Sequence, residues 1–165
     1  MRFSFFHAAQ QQQIHIPQIG LSLRVLVPPH VTGTALTAIE TTNAPGFGPP
    51  LHRHRETELF YVLEGRYLFD VDGRRFLADA GDAIVAPGGC AHTFVNVTSG
   101  PARQFIQILL GLDAAAFFLG LGDVMAKGAL DQARLNAFGE RWHVEFLGPP
   151  LSEIDIANAQ IGPRA

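Results

Sequence analysis

Residues 46–65 read GFGPPLHRHRETELFYVLEG. Two imidazoles, His52 and His54, stand one residue apart, and the carboxylate of Glu58 follows four residues later. An apolar run of strand-forming residues comes directly behind them. In an extended chain the side chains alternate faces with period two, so positions 52, 54, 56 and 58 share a face. In a closed barrel that face is the interior. Two imidazoles and a carboxylate buried there without partners would be costly. A divalent metal removes the difficulty, because neutral imidazole and carboxylate are suitable ligands.

The segments that follow have a regular beat: ELFYVLEG, RYLFDVDG, RRFLADAG, DAIVAPGG and AHTFVNVTSG, each roughly eight residues long and ending near glycine. That spacing predicts an antiparallel sandwich or barrel of short strands. Asp72-Gly73 is a dipeptide favoured in tight hairpins, and Gly65, Gly73, Gly81 and Gly89 read as turn residues. Upstream, LSLRVLV (21–27) and GTALTAIE (33–40) predict two more strands, and NAPGFGPP predicts a loop. RQFIQILLG (103–111) predicts the last barrel strand. Beyond it, Asp113 is placed to cap a helix through AAAFFLGLG, residues 130–141 predict a second helix, and VEFLGPPL is extended. The expected fold class is therefore all-β, with a barrel over residues 1–112 and a helical extension over 113–165 packed on the same domain.

A second stretch, GDAIVAPGGCAHTFVN (81–96), turns at Pro87-Gly88-Gly89 and sets His92 at the start of an apolar strand, facing inward with Phe94 and Asn96. The two stretches together match the paired motifs of one family. Gly46, His52, His54, Glu58 and Gly65 fit G-x5-H-x-H-x3-E-x6-G, and Gly81, Pro87, Gly89, His92 and Asn96 fit G-x5-P-x-G-x2-H-x3-N. The sequence resembles a cupin. That resemblance implies a jelly-roll β-barrel and a divalent metal (Fe, Mn, Ni, Co or Zn) held by His52, His54, Glu58 and His92. The length, the helical tail and the closing VEFLGPPL also make the chain similar to single-domain quercetin-2,3-dioxygenase-like cupins. This implies a flavonol-like or other enolic aromatic substrate, dioxygen as co-substrate, and Glu58 as general base. Phe60, Val62 and Phe94 share the inward parity and are expected to line the substrate pocket. The alternatives are a non-catalytic small-molecule binder and a metal-dependent isomerase or decarboxylase of a small acid or sugar. The last would need an inward Arg or Lys, for which Arg103 is the nearest candidate.

The remaining residues narrow the field. The chain has 165 residues, enough for one domain with a real core. Net charge is -3, which carries no nucleic-acid footprint. No apolar stretch is long enough to span a membrane, and the N-terminus lacks the apolar region of a signal peptide. The single cysteine, Cys90, excludes an intrachain disulfide and suits the cytoplasm. It reads as a small buried side chain. The thirteen Phe residues point to a bulky core before an aromatic cavity. Asn96 reads as a structural hydrogen-bonding residue. Glu56 reads as a salt-bridge or solvent residue, and Arg53 and Arg55 face away from the ligands. His7, His15, His30 and His143 are surface or packing residues. Exposed strand edges and the appendage predict a homodimer.

Overall fold

The computed structural model describes residues 3–126 and 132–161. Among these the strands are β1 (Gln13–Ile16), β2 (Leu21–Val27), β3 (Leu36–Asn43), β4 (Leu51–Arg53), β5 (Thr57–Glu64), β6 (Arg66–Val71), β7 (Arg74–Asp79), β8 (Ala83–Ala86), β9 (His92–Asn96), β10 (Ala102–Leu109) and β11 (Glu145–Gly148). The helices are α1 (Ala114–Ala126), α2 (Gln132–Trp142) and α3 (Glu153–Ile161). One sheet has the order β1-β2-β3-β10-β5-β8 and the other β11-β4-β9-β6-β7. Neighbours in both are antiparallel. This is a jelly-roll barrel followed by short helices: the glycine-punctuated beat of the sequence predicts the antiparallel barrel, and the cupin resemblance implies its jelly-roll form.

Alternation sets the interior. Ala102, Gln104, Ile106 and Ile108 of β10 are buried while their neighbours along the strand are less so. Phe60, Tyr67, Phe69 and Phe94 interlock between the sheets, with ring centroids 5.3 Å apart for Phe60–Phe69 and 5.6 Å for Tyr67–Phe94. Such edge-on pairs contribute beyond the area they bury. The Asp72-Gly73 hairpin forms as read, with both residues at positive φ (49° and 78°), as a two-residue primed turn requires.

Three features depart from the sequence reading. The second predicted strand starts at Leu36 rather than residue 33, because Gly33 and Thr34 both take left-handed φ, and it continues to Asn43. β1 was hidden behind the glutamine run; two residues, Ile14 and Ile16, give it its buried face. α3 is capped reciprocally by Ser152 and Asp155: the Asp155 amide donates to Ser152 Oγ at 3.3 Å, and the Ser152 amide to Asp155 Oδ2 at 2.8 Å. The Ser-x-x-Asp spacing was the available signal. Asp113 caps α1 as expected, accepting from the Ala116 amide at 3.1 Å. The predicted second helix is seen from Gln132; its start at residue 130 lies outside the described residues. The tail is also more than helical, since β11 pairs with β4 and completes the second sheet. No helix among the described residues is long and apolar enough to cross a membrane.

Asn96 ties the barrel end together. Its Nδ2 donates to the carbonyls of Asn43 (3.0 Å) and Gly100 (2.8 Å), and its Oδ1 accepts from the Thr98 amide (2.9 Å) and hydroxyl (2.7 Å). Asn96→Ala strands several buried partners, so denaturant unfolding should show a loss of about 3 kcal/mol. A loss under about 1 kcal/mol would mean that the tether is redundant.

Candidate metal centre

Backbone stitches bring the two motif stretches together. His52 of β4 pairs directly with His92 of β9. One residue past β4, the His54 carbonyl accepts the Gly89 amide at 2.7 Å, and the Gly88 amide donates to Thr57 Oγ1 at 3.0 Å. A Cβ on Gly88 would stand 2.1 Å from the Arg55 carbonyl oxygen, so only glycine permits this approach. Asp72 clamps the same loop from the β6–β7 hairpin, exchanging two 2.8 Å hydrogen bonds with the Ala91 backbone.

The result is one cluster. Ring nitrogens of His52, His54 and His92 lie within 4.8 Å of one another. Glu58 reaches in from β5, with one oxygen 3.5 Å from His54 Nε2 and the other 3.5 Å from His92 Nε2. Orientation is fixed from behind. His52 Nδ1 lies 2.8 Å from the Pro50 carbonyl oxygen, and His92 Nδ1 lies 3.1 Å from that of Cys90. These acceptors hold the proton on Nδ1 and leave the Nε2 lone pair free. His92 Nε2 is fully buried with no hydrogen-bond partner. An orphaned lone pair beside two more imidazoles and a carboxylate fits a divalent cation by donor chemistry.

Glu56 makes the ion pair expected of it, but in a buried position. It is 4% exposed, with Oε2 3.4 Å from His54 Nδ1 and Oε1 held by Arg55 Nε at 3.0 Å. Its ion pair exists, but the carboxylate sits behind a histidine rather than in solvent. The parity it shares with 52, 54 and 58 was the signal. Cys90 is half-buried, not buried, and its bond to Asp72 pushes the thiol's pKa up. Arg53 faces outward to Glu145 at 2.7 Å.

The charges are coupled. Burial and the neighbouring His92 push His52 down to about 3, so its ring is neutral in the physiological range. Burial opposes charge on His54 too, but the Glu58 and Glu56 carboxylates outweigh it and raise its pKa. Burial likewise opposes ionisation of Glu58, yet His54 and His92 hold it well below the usual carboxylate range.

A cavity of about 230 Å³ opens onto His52 and Glu58. Phe94 lines it, together with Phe117, Phe118, Leu121 and Met125 of α1, Leu135 of α2 and Phe146 of β11. Phe60 and Val62, expected on this wall, are instead fully packed in the core; Phe60 reaches the site through ring contacts with His92 (6.1 Å) and Phe94 (5.7 Å). The tail takes their place, and nothing in the motif spacing announces that.

Three outcomes test the centre. Ala at His52, His54 or His92 should abolish stoichiometric metal loading by elemental analysis; wild-type content in any of them would sink the site. Glu56→Gln, which weakens the support behind His54, should lower metal affinity by about 10- to 100-fold. Because raised His54 carries a proton at pH 6, metal uptake there should release it. Apparent affinity should then climb about tenfold per pH unit until that proton is lost, as read by calorimetry in buffers of different ionisation heat. A flat profile would contradict the coupling.

The comparisons agree with this geometry. A family model described as cupin domain matches residues 40–107. An uncharacterized protein of Methanocaldococcus jannaschii is 30% identical over 91 residues, covering 54% of this chain and 73% of that protein. Among solved structures, KdgF from Halomonas sp. aligns with a TM-score of 0.59 at 19% identity, over 68% of this chain and 99% of that one. The polyketide cyclase RemF from Streptomyces resistomycificus aligns with a TM-score of 0.56 at 22% identity, over 66% and 80%. At these identities the two structures speak to the fold alone. Residues 40–107 thus match the cupin domain model, and the barrel around them has the cupin fold.

Proposed function

We propose that this protein is a metal-dependent dioxygenase of a flavonol-like or other enolic aromatic substrate. The observation that carries the reading is the cavity: one end meets His52 and Glu58, and its walls are otherwise dominated by aromatic and aliphatic side chains. No Lys or Arg is among the described lining residues. A carboxylate or phosphate ligand would be buried there unpaired. Arg103, the residue that a small-acid isomerase or decarboxylase needed, is drawn to Glu40 (2.9 Å) and Glu64 (3.4 Å).

A divalent ion held by His52, His54, Glu58 and His92 would supply Lewis-acid polarisation of the enol oxygen. The chain supplies the rest. Glu58, whose two oxygens face the imidazole cluster, takes the enol proton on a carboxylate oxygen. Phe94, Phe118 and Phe146 hold a flat ring against the site, and the helices α1 and α2 keep bulk water away. Phe146 stands 6.2 Å, ring to ring, from His52. The single, unpaired Cys90 suits a cytoplasmic setting. A homodimer joined along strand edges is part of the same proposal; sedimentation that returns only a monomer removes it.

The metal-loaded protein in air should consume one dioxygen per flavonol, and Glu58→Gln should slow turnover by about 100-fold or more. Conversion that continues under argon would assign an isomerase or cyclase chemistry instead. Tight binding with no conversion would assign a binding protein.

A further inference from the structure

The polarity of the cavity is confined to its two ends. His52 and Glu58 occupy one; Thr41 and Asn43 of β3 are the other polar side chains among the described lining residues. The ladders give their separation. Glu58 pairs with Ile108, and Ile108 with Thr37, so Thr37 is level with Glu58. Thr41 lies four residues further along β3, about 13 Å of strand, and Asn43 lies beyond it.

This far end is built, not incidental. Asn43 is 3% exposed, and both its backbone and its side chain are held. Its carbonyl accepts Asn96 Nδ2 at 3.0 Å, and its Oδ1 accepts the Tyr67 hydroxyl at 3.1 Å, with Thr41 Oγ1 3.5 Å away. Burial raises the Tyr67 pKa, so that hydroxyl remains a donor. With Oδ1 engaged, Asn43 Nδ2 has no acceptor among the described residues, and the side chain borders the cavity. Gln104 pairs with Thr41 across the ladder, is 0% exposed, and has no hydrogen-bond partner at either Oε1 or Nε2. Buried amides with unmet valences on the interior face of a barrel call for a polar partner.

We propose that Asn43 and Thr41 form a second recognition point, which hydrogen-bonds a hydroxyl or carbonyl oxygen at the end of the substrate remote from His52 and Glu58. The inference rests on the functional reading above and narrows it. The substrate is an elongated aromatic with an enolic oxygen at one end, an apolar middle and a second oxygen at the other. A flavonol with a hydroxyl on its outer ring has this pattern; a single-ring enol does not reach.

The test compares 3-hydroxyflavone with 3,4′-dihydroxyflavone, which differ only in the oxygen at the far end. Dissociation constants are read by ligand fluorescence on protein loaded with redox-inactive Zn(II). Wild type should prefer the dihydroxy compound by about five- to tenfold, the worth of one hydrogen bond. Asn43→Leu should bring the ratio of the two constants to about one. The near-isosteric Thr41→Val should lower it by about half, and it keeps the test alive if the Asn43 variant does not fold. A wild type that binds both compounds equally, or variants that retain the preference, would overturn the subsite and leave the functional reading standing. A wild type that binds neither would overturn the functional reading and the subsite together.

Discussion

The close backbone approach of the 87–91 loop to the chain after β4 is the constraint on which the site depends. Gly88 lies against the Arg55 carbonyl with no room for a side chain, and the neighbouring Gly89 amide bonds the His54 carbonyl at 2.7 Å. Those contacts bring His92 beside His52 and His54, although the two stretches are separated by a complete hairpin. The barrel makes the approach durable because β4, which carries His52, and β9, which carries His92, are neighbours in one sheet, with β9 paired between β4 and β6. Cluster geometry is thus a by-product of strand pairing plus two glycines, which is cheaper in entropy than ordering four independent side chains.

The interior shows how an apolar barrel tolerates ionisable groups. Each is backed by a specific partner: His52 by the Pro50 carbonyl, His92 by that of Cys90, His54 by Glu56, and Glu58 by two imidazoles. Among the described residues His92 Nε2 and His54 Nδ1 are both buried without a hydrogen-bond partner, and a cation would satisfy the first. The same accounting applies at the opposite end of the cavity, where Asn43 is engaged, while Gln104, paired with Thr41 across the ladder, is not.

Much of this was legible in the sequence, for identifiable reasons. Strand periodicity and glycine spacing are local, so the barrel strands from β5 to β10 could be read directly. The motif residues His52, His54, Glu58 and His92 carry fixed spacings, so their convergence could be read too. What escaped was non-local. Phe60 and Val62 have the right parity for a pocket wall, yet the core fills behind them, and the wall is supplied by Phe117, Phe118 and Phe146 from the tail. Parity says which way a side chain faces but not what covers it. Glu56 forms the salt bridge read for it, but its burial was not legible, because a buried carboxylate needs a reason that only the position of His54 provides. β1 carries two apolar residues in a polar run, too few for a periodic signal, and owes its existence to pairing with β2.

The ladder between β11 and β4 has a consequence for biosynthesis. The strand that bears His52 acquires its outer neighbour from residues 145–148, and Arg53 meets Glu145 across 92 positions of chain. A polypeptide made from its N-terminus therefore emerges with both histidine stretches in place but with one edge of their sheet open. The roof over the cavity is also missing at that stage. Long-range closures of this kind are slow relative to hairpins, so the β11–β4 pairing belongs to the late contacts of the fold. A cation that reached the histidines before β11 docked would not have to pass the closed roof.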